Sequence, residues 1–153
     1  MDKEGLMNKK IERNRSFWER TNTEPLIAYS FGNYFISRRY KAAEKLLVDG
    51  KKIEPDMINV PDFKEDYLRM YRDSERIDHD MVYVAEPYTG LPWIEAMLGA
   101  DVYATVNSFI ATVTKKDIHN VDFSSVVNKA WYDKYMEFIE MLSNMDEVTI
   151  PVG

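Results

Sequence analysis

The chain has 153 residues, of which 45% are hydrophobic and 30% are charged, and its formal net charge is −6. This length and composition predict one soluble globular domain, residues 1–153, and exclude a fibrous or largely disordered protein. The negative charge argues against a nucleic-acid partner, because it repels a phosphate backbone.

Residue usage limits the chemistry further. Cysteine does not occur, which excludes disulfides, thiolate nucleophiles and thiolate-bound zinc within these residues. The two histidines, His79 and His119, lie far apart in the sequence and predict no metal site. No apolar run approaches the roughly 20 residues that cross a bilayer, and the amino terminus has no apolar signal core. The sequence therefore predicts a cytoplasmic protein without a membrane partner.

Apolar periodicity and turn residues divide the chain into helices and strands. Helices are predicted where apolar residues recur every three or four positions, most clearly where Trp131, Phe138 and Leu142 share one face. Strands are predicted where short apolar runs end at proline or glycine. In chain order the predicted elements are helix 9–20, strand 25–31, helix 34–47, helix 62–77, strand 80–87, helix 92–98, hairpin 102–113, helix 124–145 and strand 147–153.

Side chains suited to chemistry follow the first two predicted strands. Alternating strands and helices predict an α/β fold with parallel strands, whose carboxyl ends meet at one rim. Ser30 and Asn33 follow the first strand, whereas Glu86 and Tyr88 follow the second. Trp93 opens the next short helix. The sequence therefore predicts a substrate site at this rim.

Each of these residues has a structural alternative. Glu86 is either a general acid or hydrogen-bond acceptor in an apolar mouth, or a strand-end carboxylate bonded to a neighbouring loop. Tyr88 and Trp93 either stack on an aromatic substrate, or pack under the adjacent loop. Asn33 either orients substrate or forms a turn. Glu95 is either a solvated helix residue or a first-turn carboxylate that the helix dipole favours.

Three stretches carry a family resemblance: "NRSFWERTNTEPLIAYSF", "GLPWIEAMLGADV" and the aromatic helix that leads to "EVTIPVG". In that order they resemble the amino-terminal part of uroporphyrinogen decarboxylase-like proteins, which include the decarboxylase of haem synthesis and corrinoid-dependent methyltransferases. Those relatives are (β/α)8 barrels, a fold of roughly 250 residues. The resemblance therefore implies the first part of a TIM-type barrel, with an extra N-terminal helix and a β-hairpin insertion, that is not complete in this chain.

The resemblance favours the methyltransferase branch. In the decarboxylase, paired arginines after the first strand hold substrate propionates, and Ser30 and Tyr34 stand at the matching positions here. Arg38 and Arg39, one turn later, either replace this clamp or lie on a solvated helix face. Glu86 stands where the decarboxylase has an aspartate that faces the pyrrole nitrogens. The resemblance therefore implies a catalytic Glu86 and a substrate site formed by Ser30, Asn33, Tyr34, Tyr88 and Trp93.

The implied function is that of the substrate-facing N-terminal part of a methyltransferase. It would transfer a methyl group between a small methylated substrate and a corrinoid (cobalamin) carried by a partner protein, and a second chain or second copy would complete the sheet. The alternative is a non-catalytic α/β module, which binds a protein partner or a second copy through the open sheet edge of strand 147–153.

Overall fold

A computed structural model describes residues 3–29, 32–112 and 127–145. Its α-helices are α1 (Lys3–Trp18), α2 (Lys41–Glu44), α3 (Lys64–Glu75), α4 (Trp93–Met97) and α5 (Lys129–Ser143). Its strands are β1 (Lys52–Ile53), β2 (Val102–Ala104) and β3 (Phe109–Ala111). Short 3-10 helices span Ile36–Arg39, Pro55–Met57 and Val60–Phe63. The predicted class, a mixture of α and β structure, is confirmed at this level.

The strands form one small antiparallel sheet in the order β1-β2-β3. The β2–β3 hairpin is the one predicted within 102–113, and its register pairs Ala104 with Phe109. The turn is closed by Thr105, whose hydroxyl accepts the backbone N–H of Ser108 at 3.0 Å. A hydroxyl that replaces a backbone acceptor is a common way to hold a tight turn.

The two strands expected to build a parallel sheet are not strands in the described residues. Residues 25–29 have no regular structure, and within 80–87 only Ala85 forms an isolated bridge. Backbone groups of Ile27 bond to Asp80 instead: its N–H donates to the carboxylate at 2.8 Å, and its carbonyl accepts the Asp80 N–H at 2.8 Å. The expectation of parallel strands 25–31 and 80–87 is therefore wrong for this part of the chain.

The predicted helix 34–47 is interrupted. It consists of a 3-10 turn followed by α2, because Tyr40 between them is extended, with φ −104° and ψ 113°. The backbone N–H of Ala42 then donates to the carboxylate of buried Asp66 at 3.0 Å. A side chain from α3 thus supplies an acceptor that a continuous helix would have supplied from its own backbone.

The other predicted helices are confirmed, with changed bounds. Helix α1 begins earlier than expected, and its aromatic residues do not pack against the body, because Phe17 is exposed and Trp18 is 80% exposed. Helices α3 and α4 lie within the expected ranges. Helix α5 occupies the later part of 124–145, whereas residues 124–126 and the expected strand 147–153 lie outside the described residues.

The core is rich in aromatic side chains from α3, α4 and α5. The Phe138 ring meets the Phe63 ring edge-on at 5.1 Å between centroids and the Trp93 ring at 5.6 Å. The Trp131 ring packs against Trp93 from the same helix face as Phe138, at 5.9 Å. Edge-on aromatic pairs of this kind contribute about 0.5–1.5 kcal/mol beyond burial. These contacts fix α4, and therefore the loop that precedes it, against α5.

Candidate functional site

The loop before α4 is held by three buried aromatic donors. The backbone carbonyls of residues 86–88 each accept a hydrogen bond from a buried side chain. The Tyr67 hydroxyl donates to the first at 2.8 Å, the Trp93 indole N–H to the second at 2.6 Å, and the Tyr40 hydroxyl to the third at 3.0 Å. These bonds satisfy acceptors that no helix or strand satisfies here. Residues 86–90 are called the tethered loop below.

The tyrosine donors remain protonated at neutral pH. Burial raises the pKa of Tyr40 to about 12, and the neighbouring Tyr67 hydroxyl and the charge of Arg39 oppose only part of that rise. Burial also raises the pKa values of Tyr67 and Tyr83, and the nearby charge of Glu86 adds to both shifts. Because a phenol donates only in its neutral form, the tethers are present throughout the physiological pH range.

An open groove with a volume of about 570 Å³ lies beside the tethered loop. We call it the aromatic groove. Its lining residues are Tyr34, Phe35, Ile36, Tyr88, Gly90, Leu91, Pro92, Trp93, Ile94, Glu95 and Ser108. Tyr34 is 90% exposed, and Tyr88 and Ile94 are also exposed. The groove therefore exposes apolar side chains to solvent. Burial of these side chains under an apolar ligand would be favourable, because it removes apolar surface from water.

The structure brings three of the expected substrate residues together, in different roles. Tyr34 and Tyr88 present rings to the aromatic groove, whereas Trp93 is only 7% exposed. Its indole N–H is occupied by the tethered loop, and its ring packs on the aromatic residues of α5. Trp93 therefore shapes the groove wall and leaves little ring face for stacking on a ligand.

The expected catalytic carboxylate lies on the rim. Glu86 is exposed and does not line the aromatic groove, although its charge reaches the buried tyrosines beneath the loop. Glu95 does line the groove, in the first turn of α4. The sequence placed Glu95 in solvent, and it is indeed exposed, but its position in the groove was missed.

The remaining two expected residues are elsewhere. The Asn33 side-chain carbonyl accepts the backbone N–H of Phe35 at 2.9 Å, which is the turn geometry given as its alternative role. Asn33 borders a different cavity from the one that Tyr34 borders. Ser30 lies outside the described residues.

The floor of the aromatic groove is closely packed at Gly90. Its φ is +82°, and a Cβ atom there would overlap the Ser37 hydroxyl and lie 3.1 Å from the Ser37 backbone nitrogen. The hydroxyls of Ser37 and Thr89 are fully buried and have no hydrogen-bond partner among the described residues. Glycine is therefore required here both by the backbone conformation and by the approach of Ser37.

Sequence reasoning missed the donors that hold the tethered loop. Helical spacing places Tyr40 and Tyr67 on the apolar faces of the predicted helices 34–47 and 62–77, and both side chains are indeed buried. The signal that could have found their second role is residue type, because a buried tyrosine hydroxyl requires a partner where phenylalanine requires none. Their backbone partners follow no sequence pattern.

Comparisons of the chain with known protein families, with curated proteins and with solved structures found no match. Across residues 3–29, 32–112 and 127–145, no group of three or more His, Asp or Glu side chains could hold a metal ion. No helix in that part of the chain is long and apolar enough to cross a membrane.

Proposed function

We propose that the chain is the substrate-facing N-terminal part of a uroporphyrinogen decarboxylase-like methyltransferase, acting between a small methylated substrate and a corrinoid carrier. The proposal includes the finer fold assignment, in which a second chain or second copy completes a barrel. The observation that carries it is the aromatic groove beside a loop fixed by three buried donors.

The dimensions and walls of the aromatic groove suit a small ring. Its volume of about 570 Å³ lies within the range of roughly 300–1,000 Å³ that is usual for ligand sites. Tyr88 and Tyr34 supply exposed aromatic faces, and Ile94 supplies an aliphatic one. A methoxyphenol offers an aromatic face to the apolar walls and a phenolic hydroxyl that can donate to a carboxylate, and Glu95 supplies a carboxylate in the lining.

The tethered loop supplies a fixed frame for that ligand. Tyr88 has an exposed side chain, while its backbone carbonyl is held from below by Tyr40. Its backbone N–H donates to the carbonyl of Glu86 at 2.7 Å, so the two residues keep a set separation. Groups held in place before a ligand binds lose less entropy on binding, which favours affinity and correct orientation.

Two carboxyl groups could transfer the proton that demethylation requires. When the methyl group leaves, the bonding electron pair stays on the substrate oxygen or nitrogen, which then accepts a proton. Glu95 borders the aromatic groove, and Glu86 lies on the adjacent rim. A corrinoid on a partner protein would supply the nucleophile for the methyl group. The described residues of this chain would bind the substrate and hold the proton.

Ligand titration of the full chain tests the groove. We expect ortho-methoxyphenol to cause saturable NMR shifts at the aromatic groove. An aromatic stacking contact contributes about 0.5–1.5 kcal/mol, so we expect Tyr88→Ala to weaken ligand binding about three- to tenfold. Tyr132→Ala removes an exposed tyrosine of α5 outside the groove and is the matched control, for which we expect unchanged affinity. A lack of saturable shifts with ortho-methoxyphenol, trimethylamine and methylcobalamin would contradict the proposal.

A second measurement separates the two acids. In methyl transfer from ortho-methoxyphenol to reduced cobalamin, with all required partners present, replacement of the proton donor should lower turnover at least tenfold. Glu86→Gln and Glu95→Gln are compared, with ligand affinity measured for each. If neither change lowers turnover, both carboxylates are removed from the mechanism.

The alternative function, a partner-binding module, has one observation in its favour. In the described residues β3 pairs on one side only, with β2, and Ile110 on this strand is exposed. An unpaired strand edge with an apolar side chain is a template for association. Sedimentation at several concentrations tests this: Ile110→Lys should abolish any self-association, and a monomer at all concentrations would count against a second copy.

A further inference from the structure

A second, smaller cavity of about 220 Å³ lies next to the aromatic groove. Asn33 borders this cavity, and its neighbour Tyr34 borders the groove. We call it the basic cavity, because four of its lining residues are cationic and two are acidic. The cationic residues are Arg38, Arg39, Lys41 and Arg69, and the acidic residues are Glu44 and Asp73.

Two of the cations have no ion pair with a described residue. Arg38 donates through Nε to the side-chain oxygen of Asn107 at 3.3 Å, a neutral partner. No carboxylate of the described residues lies within 4.0 Å of the nitrogens of Arg38 or Lys41. The positive charges of Arg38 and Lys41 are therefore not neutralised by direct contact with a described carboxylate, in a chain whose net charge is −6.

The other two cations are held in place by the protein. Arg69 donates to buried Asp66 at 2.8 Å and also to the backbone carbonyl of Arg39. The Arg39 side chain donates through Nε to the backbone carbonyl of Asn33 at 2.8 Å. These bonds connect α3 to the segment before α2. Guanidinium groups positioned in this way need little reorganisation to accept an anion.

We infer that the basic cavity binds the phosphate group of a small molecule. Its lining carries two more positive than negative side chains. Two lining residues have ion-pair partners outside the lining, since Arg69 pairs with Asp66 and Asp73 pairs with Arg76. These partners have opposite charges, so the excess of two is unchanged, and a phosphate monoester carries about −1.5 to −2 at neutral pH. The planar fork of arginine matches phosphate oxygens with paired hydrogen bonds. A monocarboxylate would leave one positive charge uncompensated. The inference does not depend on methyl transfer, because it concerns a different cavity.

The test is an NMR titration of the full chain with inorganic phosphate, at constant ionic strength maintained with chloride. We expect saturable shifts at residues 32–41 and 69–73. Lys41→Gln and Arg38→Gln should each weaken phosphate binding about tenfold, the effect of one charge-assisted hydrogen bond. Arg72→Gln is the matched control, because Arg72 is an exposed arginine of α3 outside the cavity. We expect its affinity to be unchanged.

Three results would overturn the inference. The first is a linear response to phosphate without saturation. The second is an equal loss of affinity in Arg72→Gln, which would indicate attraction by general surface charge. The third is acetate binding at the same positions as tightly as phosphate, which would contradict the choice of a dianion. Circular dichroism of each variant checks that the fold is retained. Loss of ortho-methoxyphenol binding in the aromatic groove would leave these outcomes unaffected.

Discussion

Replacement of Gly90 by alanine should be one of the most destabilising single-methyl additions in the described chain. The φ of +82° alone disfavours alanine by about 1–2 kcal/mol. The added Cβ would also overlap the Ser37 hydroxyl and approach the Ser37 backbone nitrogen to 3.1 Å. Overpacking of a rigid site typically adds about 1–3 kcal/mol. We therefore expect Gly90→Ala to lower the free energy of unfolding by about 2–5 kcal/mol.

A second substitution separates the two contributions. Ser37→Ala removes the oxygen that the new Cβ would overlap, and that oxygen is buried without a hydrogen-bond partner in the described part of the chain. Alone, Ser37→Ala should leave stability unchanged or raise it by up to about 1 kcal/mol, because it removes an unpaired polar group. Combined with Gly90→Ala, it should restore about 1–2 kcal/mol. The double variant should stay below the parent chain, because the backbone strain remains.

Gly50→Ala is the matched control. Gly50 has a φ of +72°, and a Cβ there would meet no atom within 4 Å. It should therefore lose only the backbone contribution of about 1–2 kcal/mol. Urea unfolding followed by circular dichroism and tryptophan fluorescence gives all four values. The reasoning that Ser37 packs against the floor of the aromatic groove would be refuted by either of two results. One is an equal loss in the free energy of unfolding for Gly90→Ala and Gly50→Ala, and the other is no recovery of this free energy when Ser37→Ala is added to Gly90→Ala.

Two further predictions concern pH and a buried carboxylate. Burial raises the pKa of Tyr40 from 10.0 to about 12 and also raises that of Tyr67, so the unfolded chain loses these protons first. This contribution to the free energy of unfolding is complete below pH 10 and falls as pH rises towards 12, by about 1.4 kcal/mol per pH unit and group. Urea unfolding across this pH range should show the fall. If the free energy of unfolding of Tyr40→Phe fell with pH at the same slope, the prediction would be contradicted. Asp80 accepts from the Ile27 N–H at 2.8 Å and from Arg13 at 3.0 Å. Asp80→Asn should lower the free energy of unfolding by about 1–3 kcal/mol and speed hydrogen exchange at Ile27, whereas unchanged exchange would show that the carboxylate does not hold this segment.

Elements with strong local signals could be predicted from the sequence. Helix α5 follows from the spacing of its apolar residues, and Asn128 caps it by accepting the backbone N–H of Ala130. Helix α4 follows from Pro92 at its start and from Gly99, with φ +86°, after its end. The hairpin follows from two β runs separated by turn residues. Each signal depends on neighbours within a few positions.

In the described residues the predicted strands 25–31 and 80–87 do not form, because strand formation depends on a distant partner. A short apolar run is compatible with a buried strand, but the run alone does not show where its backbone groups bond. Here Asp80 satisfies both backbone groups of Ile27, and Ile27 itself is 50% exposed. Within 80–87, carbonyls at the carboxyl end bond to aromatic side chains. Such side-chain substitutes leave no periodic trace in the sequence.

Part of the candidate site was predicted for a reason that the structure does not support. Tyr34, Tyr88 and Trp93 were expected together at the rim of parallel strands. They do border one groove, but the described sheet is antiparallel and β1–β3 do not contribute the loops that carry them. Their proximity comes from the packing of Trp93 on α5 and from the bond between Tyr40 and the Tyr88 carbonyl. The chemical types of these residues correctly indicated that they share a groove, whereas the parallel strands expected to carry them are not found in the described residues.

The choice of tyrosine at positions 40 and 67 connects the core to the groove. Phenylalanine would bury the same ring without desolvating a hydroxyl, so packing alone gives no reason for tyrosine. A buried hydrogen bond adds only about 0.5–1.5 kcal/mol net, but it fixes which atoms meet. At both positions the fixed atom is a carbonyl of the tethered loop. Because the same loop carries the exposed Glu86 and Tyr88 side chains, the two hydroxyls are best explained as positioning groups for the surface that borders the aromatic groove.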